Sequence, residues 1–304
     1  MNYSIALWGL LLLANIGIAQ EKQPIAIPGT KYQMQAPKGF KLAQSFSGFS
    51  NDSLKASIMV SEIPTDFKQI AAGFSKEKLN ASGLDLIKRD SILMENKLAL
   101  LLELSQVVGE TQYLKKVLLL GDSTKTTIVN GIFPANHPEL ASPIQASLLS
   151  IQFQALQDDN PMKAVNFMID TTGSNLLFAK YQNGTLLFSK DGKIPTTAPS
   201  FIVGSSFSSQ TIPDKKQFAL NRLKQLPGGL TATIQSQMPI KQGKLEGYEI
   251  ISKAKIYDSK EGLLYQCLFF DNKGNYFMVV GLANIEITKN LQVFRKMART
   301  LQPK

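Results

Sequence analysis

One histidine, His137, limits what chemistry the chain can perform. A Ser-His-Asp triad, a Cys-His pair or a histidine metal site would each have to use it. It stands in Pro134-Ala135-Asn136-His137-Pro138, a proline-flanked loop without His-x-x-x-His ligand spacing, and reads as an ordinary exposed side chain. Leu120-Gly121-Asp122-Ser123 has the residue order of one type of serine nucleophile turn, but the Asp-x-x-His such a serine needs near the C-terminus is missing. A hairpin turn between two strands accounts for it. Asp170-Thr171-Thr172-Gly173-Ser174 is one threonine longer than the loop with which two carboxylates share a proton. The place where a second loop would stand holds only Ala36-Pro37-Lys38-Gly39, so a turn is again expected. Cys267 is the only cysteine, which forbids an intramolecular disulfide. Its surroundings, Tyr265-Gln266-Cys267-Leu268-Phe269-Phe270, suggest a strand apolar on both faces, and apolar burial keeps a thiol protonated and inert. Gly204-Ser205-Ser206 is a plain small-residue stretch and no phosphate-cradling glycine motif occurs, so no catalytic residue, cofactor or metal is expected.

The elements that would position these residues come in two sets. Ile63-Pro64 and Ile212-Pro213 each lead into an amphipathic stretch, 149 positions apart. Asn96-Lys97-Leu98 is echoed by Gly243-Lys244-Leu245 after 147 positions, and Val129-Asn130-Gly131 by Val279-Val280-Gly281 after 150. That period far exceeds the roughly 20 to 50 residues of solenoid repeats, so each copy is a domain. The expected organisation is a signal peptide over residues 1–19, a first domain over 25–155 and a second over 162–302. Gln157-Asp158-Asp159-Asn160-Pro161 ends the linker between them.

Within the first copy, residues 32–36, 56–61, 98–104, 113–120 and 126–132 read as strands. Thr65 is the expected cap of a helix displaying Phe67, Ile70, Ala71 and Phe74, and Ser142-Pro143 the expected start of a helix displaying Ile144, Leu148 and Ile151. The second copy adds a hairpin around Asn183-Gly184, taken as its own embellishment. Asp214 would cap a helix with Ala219, Leu223 and Leu226. A meander over 249–257, 263–270 and 275–282 follows, then a helix capped by Thr288 with Leu291, Phe294, Met297 and Leu301 on one face. The fold class is α+β: two tandem domains, each an antiparallel β-sheet with helices packed on its faces.

Residues 1–19 carry no Asp, Glu, Lys or Arg, and the small residues Gly17 and Ala19 suit cleavage after Ala19, which leaves Gln20 first. An uncleaved anchor is the rival reading, because the apolar run approaches the roughly 18 to 20 residues that span a bilayer. Localisation is therefore expected to be exported, periplasmic or extracellular. The net charge of +10 is uneven: residues 20–157 hold 14 Lys and Arg against 12 Asp and Glu, residues 158–304 hold 19 against 11. Such a basic second domain suits an acidic protein face or, more weakly, peripheral contact with an anionic membrane; no dense Lys/Arg run suggests nucleic acid.

Gly247-Tyr248-Glu249-Ile250-Ile251, then residues 264–270, then Tyr276-Phe277-Met278-Val279-Val280-Gly281, then Phe294-Arg295-Lys296-Met297-Ala298-Arg299-Thr300-Leu301, resemble the end of a Mog1/PsbP-like domain. The first copy resembles it through Leu148-Leu149-Ser150-Ile151. The resemblance covers nearly all of the chain after the export segment and implies antiparallel sheets between helices, in domains that bind a partner protein or serve as accessory factors. It transfers no functional residue. From the residues themselves, Lys253, Lys255 and Tyr257 share one face of a strand, with Lys241 and Lys244 adding charge, and form a candidate docking face for an acidic partner; a solvated edge guarded by lysine is the competing reading. The function expected is an exported, non-enzymatic binding or assembly module of the cell envelope, with a secreted hydrolase using carboxylates or an unrecognised serine as the alternative.

Overall fold

The computed structural model describes residues 23–257 and 260–304. The export segment expected over residues 1–19 and its expected cleavage point lie outside them. In the first domain the strands are β1 (Ile25–Ala26), β2 (Tyr32–Met34), β3 (Lys41–Leu42), β4 (Gly48–Asn51), β5 (Ala56–Ile63), β6 (Asp85–Met94), β7 (Lys97–Val108), β8 (Thr111–Gly121), β9 (Thr126–Pro134) and β10 (Gln152–Phe153). Helices α1 (Phe67–Ala71) and α2 (Lys76–Ala81) connect β5 to β6, and α3 (Ala141–Leu149) follows β9. In the second domain come β11 (Phe167–Met168), β12 (Leu177–Gln182), β13 (Thr185–Ser189), β14 (Ser200–Ser205), α4 (Lys215–Lys224), β15 (Thr233–Gln242), β16 (Leu245–Ile256), β17 (Lys260–Phe270), β18 (Tyr276–Ala283), α5 (Ile287–Ala298) and β19 (Gln302–Pro303).

Each domain is built on a seven-stranded antiparallel sheet, in the order β3-β4-β5-β9-β8-β7-β6 and β12-β13-β14-β18-β17-β16-β15. Every strand of the first has its counterpart nine strands later. The small pairings agree: β10 returns from α3 to pair with β2, and β19 returns from α5 to pair with β11. Two α+β domains of one topology therefore make up the described chain.

Alternation along the central strands feeds two cores per domain. Leu100, Leu102 and Leu104 of β7 pack with Phe67, Ala71 and Leu79 of α1 and α2, while Ala99 and Leu101 turn to Ile144 and Leu148 of α3. In the second sheet Ile250, Ala254 and Ile256 meet Ala219 and Leu223 of α4, and Tyr265, Cys267 and Phe269 meet Phe294 and Met297 of α5. The duplicated glycines serve this packing. A Cβ on Gly131 would fall 2.3 Å from Ile144 Cγ2, and one on Gly281 2.2 Å from Phe294 Cδ2.

Several sequence expectations need correction. Asp66, not Thr65, caps α1, accepting from the amides of Lys68 and Gln69. Ser142 lies inside α3, which grows out of a 3-10 turn at Pro138–Leu140 and has no side-chain cap. Thr288 lies inside α5, whose first turn follows Glu286 in the left-handed region. Asp214 caps α4 as expected, accepting from the Gln217 amide. The Asn183-Gly184 hairpin is not an embellishment, because β12-β13 corresponds to β3-β4, where the first copy has a shorter pair joined by a longer loop. The outermost strands β6 and β15 were not anticipated. Both are largely exposed, so they lack the apolar alternation that reveals a half-buried strand. Each also carries a bulge at the matching place, Leu86/Lys88 and Ile234/Ser236, and β15 adds Pro239. Bulges, charges and proline keep free edges from pairing with other chains.

Candidate binding cleft

The residues first considered for chemistry are held by structural bonds. His137 is half-exposed, with Nδ1 3.0 Å from Glu139 Oε1. Asp122 closes the β8-β9 hairpin by accepting from the Thr124 hydroxyl, the Thr124 amide and the Lys125 amide, bonds that hold its carboxyl down at about 2. Asp170 Oδ1 accepts from the Thr172 amide, and Ser174 Oγ donates to Thr171 O while accepting from the Leu176 amide. Both motifs are turns. Cys267 is fully buried and its thiol is pushed up to about 12, chiefly by that burial. Among the described residues no group of three or more His, Cys, Asp or Glu is placed to hold a metal, and no helix is long and apolar enough to cross a membrane.

The proposed lysine face is only partly assembled. Lys253 and Lys255 are exposed on one side of β16, opposite buried Ile250, Ser252, Ala254 and Ile256. Tyr257 departs from that face. It is half-buried, its hydroxyl meets Ser200 Oγ at 2.7 Å and donates to Ala198 O at 3.2 Å, and burial raises its pKa. Lys241 stands opposite Glu246 in the β15-β16 register and is ion-paired to it at 2.8 Å, with Lys244 in the adjoining turn. Glu246 is seven residues from Lys253 along β16, about 23 Å at ~3.3 Å per residue. Lys241 and Lys244 thus add no charge beside Lys253 and Lys255, contrary to the sequence expectation.

What the sequence did not reveal is a cleft between the domains. The β12-β13 hairpin reaches into the first domain. Asn183 at its tip accepts from the Ser61 hydroxyl, and Phe46 meets Phe207 edge-on at 5.7 Å between ring centres. Ser47 Oγ donates to Pro28 O at 2.7 Å, so Tyr181, 2.8 Å away, donates its hydroxyl proton to Ser47. Burial raises the Tyr181 pKa, which keeps it a donor. The linker is tied down as well: the Gln157 amide donates to the carbonyls of Ile27, Thr30 and Tyr32. Beside these contacts opens a cleft of about 460 Å³ lined by both domains and the linker, including Val60, Glu62, Asp159, Phe178, Tyr181 and Gln182. That volume falls among ordinary ligand sites of roughly 300 to 1,000 Å³. Asn183-Gly184 was readable as a hairpin, but nothing in the sequence said its tip would meet Ser45 and Ser61.

No protein-family model matches the chain. No curated protein matches it either. Among solved structures it is similar to the PsbP of the cyanobacterium Synechocystis sp. PCC 6803, at 15% identity over 46% of this chain and 98% of that one, with a TM-score of 0.32. It is also similar to the immunity protein TplEi of the type VI secretion system of Pseudomonas aeruginosa, at 11% identity over 93% and 98%, TM-score 0.32. A chain of the Tle4-Tli4 complex matches at 11% identity over 92% and 97%, TM-score 0.35. At such identities and TM-scores the likenesses carry no function, and the duplicated α+β architecture stands on the strand order of the chain itself.

Proposed function

We propose that this chain is an exported, non-enzymatic binding or assembly module of the cell envelope, with a protein as its partner. Its domains would span residues 25–155 and 162–302. The observation that carries the reading is the cleft that both domains and their linker build together. A hairpin, a tyrosine-serine bond and an aromatic pair hold the two domains in one arrangement around it. Two domains fixed in this way present one composite surface instead of two independent sites, which reduces the ordering cost of association. The side chains first suspected of catalysis are engaged in turns or buried, which supports binding over the hydrolase alternative. Export rests on the character of residues 1–19.

The test is affinity capture from the native envelope with a photo-reactive group at Lys253 and, separately, at Phe178. One specific protein cross-linked at either position is the expected result. Failure at both positions, with the chain folded, would remove the binding reading. Reversing Lys253 and Lys255 to Glu asks whether the lysine face contributes, and unchanged recovery would dismiss that face alone.

A further inference from the structure

The cleft has a feature that points to the form of its occupant. Strand β4 is short, and its last bond to β5 runs from the Val60 amide to Ser47 O at 2.8 Å. That bond fixes parity: Val60 faces β4, so Ser61 faces β9, and Glu62 turns its backbone N–H and C=O to the β4 side again. By then β4 has ended, and no partner for these groups is found among the described residues. The second domain does the same. Asn183 and Gly184, both with positive φ, make a two-residue turn, so Gln182 and Thr185 form its closing bonded pair. Tyr181 then points its backbone N–H and C=O away from β13, and β12 is the outer strand of its sheet. Glu62 and Tyr181 both line the cleft. Two open strand edges, one from each domain, border the same space.

Unpaired strand edges bind extended polypeptide by adding a strand, with backbone bonds supplying affinity and side-chain subsites supplying selection. The charge of the cleft supplies the selection. Its lining includes the carboxylates of Glu62 and Asp159 and no Lys, Arg or His, in a chain of net charge +10. Lys125 ion-pairs Glu62 Oε1 at 2.5 Å and Lys31 lies 3.9 Å from Asp159 Oδ2, both from outside the lining, so an incoming cation would be met by the second oxygen of each carboxylate. Phe178, 44% exposed, offers a ring within the same lining, and a ring face beside carboxylates suits a cationic side chain.

We infer that the cleft binds an extended peptide segment of the partner, with a Lys or Arg directed at Glu62, Asp159 and Phe178. This rests on the binding reading above. The experiment uses the chain from Gln20 and fluorescein-labelled octapeptides of alternating Thr and Val. One carries a central Lys, one a central Glu, and two are the Lys peptide N-methylated at alternate backbone nitrogens, one in each register. The Lys peptide is expected to bind about tenfold more tightly than the Glu peptide. N-methylation in one register should abolish binding and in the other leave it. Glu62→Gln and Phe178→Ala, each confirmed folded by its melting curve, should each weaken the Lys peptide about three- to tenfold. Equal binding of both methylated peptides would overturn the inference, as would equal binding of the Lys and Glu peptides. If no peptide binds while envelope capture still finds a partner, the cleft assignment fails and the binding module stands; if capture fails as well, both fall.

Discussion

Phe294 lies so close over Gly281 that a Cβ on the glycine would stand 2.2 Å from its ring. The same relation holds 150 residues earlier between Ile144 and Gly131. In both domains the last helix settles onto the central strand of the sheet only because that strand has no side chain there. Gly281→Ala should destabilise the second domain by about 1 to 3 kcal/mol, the usual cost of overpacking a filled core. Denaturant unfolding would measure it. Adding Phe294→Leu should recover part of the loss, and no recovery would mean that the glycine is needed for another reason.

Arg295 and Glu249 fasten the same helix. Glu249 is 3% exposed and accepts from Arg295 Nη2 at 2.7 Å, from Arg295 Nε and from the Tyr265 hydroxyl at 3.1 Å. Arg295→Ala would strand a buried carboxylate, at a cost of about 2 to 3 kcal/mol, since water reaching the partly exposed arginine site softens the usual penalty. The double variant Glu249→Leu with Arg295→Leu should melt near the parent. A double variant less stable than Arg295→Ala would show that the pair contributes more than it costs.

Cys267 gives a pH signature. Its folded thiol is raised to about 12 from an ordinary 9.0, chiefly by burial. The folded state therefore holds its proton between those values while the unfolded state loses it. Stability from this group is complete below about pH 9 and falls as pH rises toward 12. Thiol labelling of the native protein at pH 7 to 9 should be slower than in urea by orders of magnitude. Native labelling as fast as in urea would refute the burial.

The domain arrangement is tested at Gly184. A Cβ there would meet Ser45 O at 1.9 Å, and its φ is +74°. Gly243, φ +58°, has nothing within 4 Å. Gly184→Ala and Gly243→Ala thus share backbone strain of about 1 kcal/mol, but only the first pushes the domains apart. Small-angle scattering should show expansion for Gly184→Ala alone, with faster proteolysis in residues 154–161. Identical profiles would mean that the hairpin contact does not set the arrangement.

The packing pattern was legible because local rules produce it. Phe67, Ala71, Ala219, Leu223, Phe294 and Met297 repeat at helical spacing and each meets a core. Residues 117–119 and 263–270 were recognisable because these stretches are buried on both faces and almost wholly apolar. Strands β6 and β15 were not, since an exposed edge needs no apolar alternation. Helix starts failed at Ser142 and Thr288, where capping-type residues sit inside helices whose first turns are fixed by neighbouring chain.

The sequence by itself determined the duplication, the α+β class and the inertness of Cys267, because periodicity, turn residues and burial act over a few neighbouring positions. Only the tertiary structure decided that Tyr181 would meet Ser47 and that the open edges at Glu62 and Tyr181 would border one cleft. Those outcomes depend on how two completed domains pack against each other. No local pattern encodes that geometry, because Tyr181 lies 134 positions from Ser47 and more than 100 from Glu62.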